Sequence, residues 1–254
     1  MGDIKVHFIK RLGLGLLLAG SSIVAQAYEF SGNISVSNNY LWRGLTQTTD
    51  EPAISGGVDF SFESGIYVGT WISNVQYAAD DAFSYENDLY IGFAGDFNGI
   101  SYDIGYLYYN YNEQAEFDFG EIYGSLGYAG FSVTASVFAH TQADESAGQA
   151  VVGRDYDYGF GEAYYVSLDY GFTLPNMEGT PMEGVEFGLH AGYHDGDFVD
   201  GFNFADGTFN YFDYSASISK SGFSLMISGT DLEDSPSNLN NDSMKFVLSY
   251  GLDF

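Results

Sequence analysis

The sequence has no cysteine, and only 7 Lys and Arg stand against 35 Asp and Glu in 254 residues. Without cysteine there is no disulfide framework, no thiolate metal site and no cysteine nucleophile. So few cations cannot neutralise a phosphate backbone, which excludes nucleic acid as a partner. Long apolar runs are also missing: no stretch after Ala27 approaches the roughly 20 residues that a membrane-spanning helix needs. What is abundant excludes disorder, because 18% of the residues are aromatic, with 22 Tyr, 22 Phe and 33 Gly. Glycine and aromatics in these proportions point toward β structure.

The N-terminal 27 residues read as an address. Lys5, Lys10 and Arg11 form a basic region, Leu12 to Ala19 a short apolar run, and Ala25-Gln26-Ala27 a small-x-small cleavage pattern. The apolar run is too short for an anchor. The expected organisation is a cleaved signal peptide over 1–27 and one exported barrel domain over 28–254. Only Arg43, Arg154, Lys220 and Lys245 remain basic in that mature chain.

Beyond Ala27 the chain alternates with period two. Phe30, Ile34, Val36, Tyr40 and Trp42 share one face, and Ser31, Asn33, Ser35, Ser37 and Asn39 the other. The pattern recurs to the last residue and gives twelve strands, with weaker alternation around Tyr67–Gln76 and Phe117–Leu126. Each is close to the ten or so residues of a tilted membrane-spanning strand. Connections alternate between short Gly-marked turns (Ser64-Gly65, Asp96 to Gly99, Tyr128 to Gly130, Leu174 to Gly184, Lys220 to Gly222) and longer polar loops. The expected fold is all-β: a closed antiparallel transmembrane β-barrel of about twelve strands, both termini at the tight-turn end.

A soluble β-sandwich or lipocalin-like barrel would point its apolar face inward, a membrane barrel outward. Export, aromatic-rich apolar faces and Ser/Gly/Asn/Asp polar faces favour the membrane. Tyr40 and Trp42 are expected at the outer rim, and Tyr170, Phe172, Tyr250 and Phe254 at the inner one. The last strand places Phe246, Leu248, Tyr250, Leu252 and Phe254 at alternate positions up to the terminus. This looks like the C-terminal signal that the barrel-assembly machinery of Gram-negative bacteria reads by strand pairing. The expected location is the outer membrane, in contact with its lipid.

The run Gly32-Asn33, Ser37-Asn38-Asn39-Tyr40, Arg43-Gly44, Gln47, Pro52-Ala53 and Gly56-Gly57 resembles the start of the Gcw_chp proteins. Gly69-Thr70-Trp71 and Ser73-Asn74 extend the likeness. These are proteobacterial outer-membrane proteins, also labelled TorF-family porins. The resemblance implies a barrel and a porin label, and no functional residues.

Strand parity assigns the pore lining. Asp59, Glu63, Asp88, Asp103, Asp169, Glu186, Asp213 and Asp253 point inward against Arg43, Lys245 and the histidines His140, His190 and His194. Ionised carboxylates in a dry interior cost several kcal/mol each, so a hydrated lumen is expected, and acidic walls favour cations. The function read from this is passive diffusion of small solutes or ions with cation preference. The alternative is a plugged barrel whose acidic loops, Asp144–Arg154 and Asp231–Asp242, bind a partner or divalent cations. No catalytic constellation is expected: the histidines and their acids do not form a nucleophile–base pair. Asp195, Asp197, Asp200 and Asp206, or Asp231, Glu233 and Asp234, miss the EF-hand spacing, so no metal site or cofactor is assigned.

Overall fold

The computed structural model describes residues 28–143, 157–175, 177–197, 210–233 and 239–254. The leader expected over 1–27, the loop Asp144–Arg154, and Asp200, Asp206 and Asp234 lie outside them.

Twelve strands close into one antiparallel barrel. They are β1 (Tyr28–Ser37), β4 (Ala53–Phe62), β5 (Ile66–Asn74), β6 (Tyr85–Phe97), β7 (Ile100–Tyr111) and β8 (Phe119–Tyr128). Then come β9 (Phe131–Thr141), β10 (Ala163–Thr173), β11 (Glu186–Gly196), β12 (Asn210–Lys220), β13 (Phe223–Thr230) and β14 (Lys245–Asp253). Each pairs with its sequence neighbour, and β1 closes the ring against both β4 and β14. A separate two-residue pair, β2 (Leu41–Trp42) and β3 (Leu45–Thr46), stands apart from the wall.

The wall is inside out relative to a soluble barrel. Leu168 is 50% exposed where its neighbour Ser167 is 6%, and Phe246 is 64% exposed where Val247 is 7%. Period two thus turns aliphatic and aromatic side chains to lipid and small polar ones inward. At the short-turn rim Phe131 stacks on Tyr170 at 4.2 Å, Tyr170 on Phe172, and Phe223 meets Tyr250 at 4.6 Å. They form the expected inner aromatic girdle.

The turn chemistry follows from the sequence. Asn98-Gly99, Ala129-Gly130 and Ser221-Gly222 each have positive φ at both positions, the type I′ geometry that matches strand twist. Gly65 alone is left-handed in the three-residue β4–β5 turn, as a type I turn with a following bulge requires.

Two expectations need correction. The first strand ends at Ser37 rather than running to Trp42, so Tyr40 and Trp42 leave the rim and turn inward. In β9, a register shift opposite Gly120/Glu121 pairs Glu121 with Phe138 and Gly120 with His140, skipping Ala139. Past that bulge the parity flips. Phe138 is buried inside, and His140 is exposed beside Tyr106, whose hydroxyl lies 2.7 Å from its Nε2.

The terminal residue closes the ring. Phe254 N–H donates to Gly32 O at 3.0 Å, and Gly32 N–H to Phe254 O at 2.8 Å. A Cβ on Gly32 would lie 2.7 Å from the Phe254 ring, so the ring packs over the bare backbone of Gly32. Deleting Phe254 removes both bonds, a loss of about 1–3 kcal/mol. The expected outcome is a lower folded fraction on heat-modifiability gels. An unchanged fraction and unfolding midpoint would mean that the seam does not depend on its last residue.

Candidate functional site: the barrel interior and its infolded hairpin

After Ser37 the chain leaves the wall in two steps. Asn38 still mimics a strand residue: its side chain donates to Phe246 O at 3.0 Å and accepts from Leu248 N–H at 2.7 Å. Asn39 then pins the base of an inward excursion. Its Oδ1 accepts from the hydroxyls of Thr46 at 2.7 Å and Thr48 at 3.2 Å, and its Nδ2 donates to Asp50 at 2.7 Å. Lys245 Nζ donates to both Asp50 oxygens at 2.6 and 2.8 Å and to Leu239 O at 2.8 Å. Thr46 N–H reaches Asn241 Oδ1 at 3.0 Å.

From that base the β2–β3 hairpin crosses the bore. Arg43 and Gly44, with φ of 49° and 81°, form its tip. A Cβ on Gly44 would stand 2.7 Å from Asp213 Cβ and 2.9 Å from Thr230 Cγ2, so the tip presses on the wall. Arg43 Nη2 donates to Glu121 Oε2 at 2.5 Å, and Nη1 lies 3.0 Å from His194 Nε2. Its guanidinium sits 4.3 Å from the ring centroids of both Trp42 and Tyr165. Tyr211 donates to Arg43 O at 3.0 Å. Burial opposes the charge on Arg43, but Glu121 outweighs it and holds the guanidinium above its ordinary value. Burial, reinforced by Glu86, pushes the Tyr40 hydroxyl well above its usual range.

The hairpin divides the interior. On the loop side Trp42 donates to Tyr109 O–H at 3.2 Å and packs edge-on against Phe119. Tyr109 and Phe119 stack at 4.2 Å, with Phe138, Tyr111 and Tyr211 buried around them. On the turn side a cavity of about 310 Å³ runs from Trp42, Arg43 and Gly44 to Gly99 and Gly130. Its wall carries Asp103, Asp169, His190 and Asp213 among Ser and Thr hydroxyls.

A family model described as "Bacterial protein of unknown function (Gcw_chp)" matches residues 22–240. The chain belongs to the Gcw_chp family. No curated protein matches its sequence. Among solved structures, a KdgM porin is 10% identical with a TM-score of 0.50, the likeness covering 88% of this chain and 98% of the porin. A KdgM porin in complex with disordered oligogalacturonate has a TM-score of 0.46 at 8% identity, covering 89% of this chain and 97% of that one. Outer membrane phospholipase A from Escherichia coli has 0.41 at 10% identity, over 87% and 95%. At this identity the likeness is one of fold: this Gcw_chp chain is a porin-like barrel of the outer-membrane type.

Arg43, Asp103, Asp169, His190 and Asp213 border the cavity. Asp59 accepts from Tyr90 O–H at 2.5 Å, and Asp103 from Tyr67 O–H at 2.7 Å. The Tyr67 and Tyr123 hydroxyls are in contact. His190 bridges two acids, Nδ1 to Asp169 at 2.6 Å and Nε2 to Asp213 at 2.8 Å, and Tyr165 donates to Asp213 at 3.0 Å. Asp88 is buried near the loop end. Arg43 reaches the lumen from the hairpin rather than from the wall, and Lys245 braces the hairpin base. Glu63, in the β4–β5 turn, and Glu186, at the start of β11, sit at the short-turn mouth. Sequence reading passed over Glu86, which accepts from Tyr40 and Tyr111 hydroxyls at 2.7 Å each, and Glu121. Parity could have found both: Glu86 lies two residues before Asp88, and Glu121 alternates with Ile122, Gly124 and Leu126.

Of the acids expected in loops, Asp195 lies in β11, and both it and Asp231 are engaged locally. Asp195 accepts from Tyr164 and Tyr193 hydroxyls, and Asp231 from Phe212 N–H. Among the described residues no three acidic or His side chains converge on a metal-sized site.

Proposed function

We propose that this protein is an outer-membrane diffusion pore for small solutes and ions, cation-preferring, with the β2–β3 hairpin as its constriction. It reaches that membrane through a leader cleaved after Ala27 and through the assembly machinery that reads Phe246 to Phe254. The observation that carries the reading is the charge of the cavity wall. Asp103, Asp169 and Asp213 line it, the last two sharing one His190, while Arg43 is held by Glu121 and Lys245 by Asp50. A water-filled passage walled in this way lowers the energy of cations and raises that of anions.

Recording the purified barrel in a planar bilayer under a KCl gradient tests it. Conductance steps with a cation-selective reversal potential are expected. Changing Asp59, Asp103 and Asp169 together to Asn should move that potential toward zero. The packed layer of Tyr109, Phe119 and Phe138 favours a second reading, a plugged barrel acting through its acidic loops. A folded barrel without conductance would sink the pore, mean a plugged lumen and turn attention to the loops.

A further inference from the structure

Behind the hairpin, on the β6 wall, lies a carboxylate that the diffusion reading does not explain. Asp88 is 0% exposed, and neither of its side-chain oxygens has a hydrogen-bond partner. Its register partners are Trp71 on β5 and Tyr109 on β7. Glu86 and Glu121 both lie within electrostatic reach of it. Glu86 is two residues away on the same inward face, about 7 Å along the strand, and is also buried. Among the described residues neither interior cation reaches Asp88, because Arg43 donates to Glu121 and Lys245 to Asp50. An isolated buried carboxylate beside two others is the least tolerable group in such an interior, since desolvation and like-charge repulsion act together.

We infer that Asp88, with Glu86, holds a hard inorganic cation under the hairpin. The donor set supports the class. Asp88 supplies two unpartnered carboxylate oxygens, Glu86 the lone pairs that its bonds from Tyr40 and Tyr111 leave, and Ser73, buried and paired in register with Glu86, a hydroxyl oxygen whose proton goes to Asn74 O. Oxygen-only surroundings suit alkali and alkaline-earth ions and not zinc or copper. One such ion offsets the charge that Arg43 leaves uncompensated. Two carboxylates make a weak site completed by water, with a dissociation constant on the order of 10⁻⁴–10⁻³ M, the range of low-charge calcium modules. The site shares only its acidic surroundings with the diffusion reading and exists whether or not the barrel conducts.

The test reads stability, not conductance, so the two ideas fail separately. Full-length mature barrel is refolded into detergent in CaCl₂, KCl or choline chloride at matched ionic strength, so that the ion is present while the site forms. Calcium or potassium should raise the unfolding midpoint by several degrees over choline, increasing with concentration as ligand linkage requires. Asp88→Asn, the isostere of a neutral acid, should show no dependence on the cation and equal or exceed wild type in choline. Terbium supplies a second readout, because Trp71 stands beside Asp88 in the register. Tryptophan-sensitised emission is expected from wild type and not from Asp88→Asn. Equal midpoints for wild type in all three salts, without sensitised emission, would overturn the inference. If Asp88→Asn does not fold, the comparison of salts on wild type decides alone.

Discussion

Replacing Leu41–Thr46 by Asn-Gly is expected to raise single-channel conductance several-fold, because it takes a filling segment out of the bore. The ends suit the graft, since Gln47 N–H already donates to Tyr40 O at 2.8 Å, and Asn-Gly closes such a pair in a type I′ turn. The excision removes Trp42 from its contacts with Tyr109, Phe119 and His194, and joins the turn-side cavity to the loop-side interior. It also removes Arg43, so the shortened barrel should prefer cations more strongly than wild type. The excision takes Thr46 from the brace at the rim, while the Asn39–Asp50, Asn39–Thr48 and Lys245–Asp50 contacts stay in place. Unchanged conductance in a correctly folded variant would place the ion path elsewhere.

Arg43→Met is expected to destabilise the barrel by about 3–5 kcal/mol, the usual cost of leaving one partner of a buried ion pair alone. The value should fall toward the lower limit, because Glu121 borders the turn-side cavity and water can reach it. Adding Glu121→Gln should recover most of the loss, since the orphaned charge and not the missing bond carries the penalty. Urea titration of both variants in detergent measures the difference. If the double variant is no more stable than the single one, the Arg43 contribution lies in its stacking between Trp42 and Tyr165.

The wall was legible in the sequence because its rule is local. Alternation at Phe246, Leu248, Tyr250 and Leu252 depends only on which side of a pleat each residue occupies, and lipid enforces it at every position. The turns were legible for the same reason: Asn98-Gly99 and Ser221-Gly222 name their own geometry. The hairpin was not. Tyr40 and Trp42 continue the apolar alternation of β1, and nothing local separates an aromatic residue bound for the rim from one bound for the interior. What decides is Asn39, whose partners Thr46, Thr48 and Asp50 meet it only after the chain has turned. The β9 bulge escaped notice likewise, because a single skipped residue at Ala139 is defined by its partner strand. Parity likewise placed Asp88 on the inward face without showing how deeply it is buried, because its neighbours Trp71 and Tyr109 belong to other strands.

The hairpin also sets the order in which the molecule can be made. Its partners lie 67 residues away at Tyr109, 78 at Glu121, 151 at His194, 168 at Tyr211 and 195 at Asn241. A segment near the start of the chain is therefore seated by strands that arrive near its end. Contacts of such separation form late and slowly, because chain closure precedes any return from them. Until β14 meets β1 the tip has no complete ring to press against, and Arg43 has no assembled acceptor set. The aromatic interior is thus the final entry of the folding sequence, and a barrel whose wall has closed is not yet one whose bore has its mature shape.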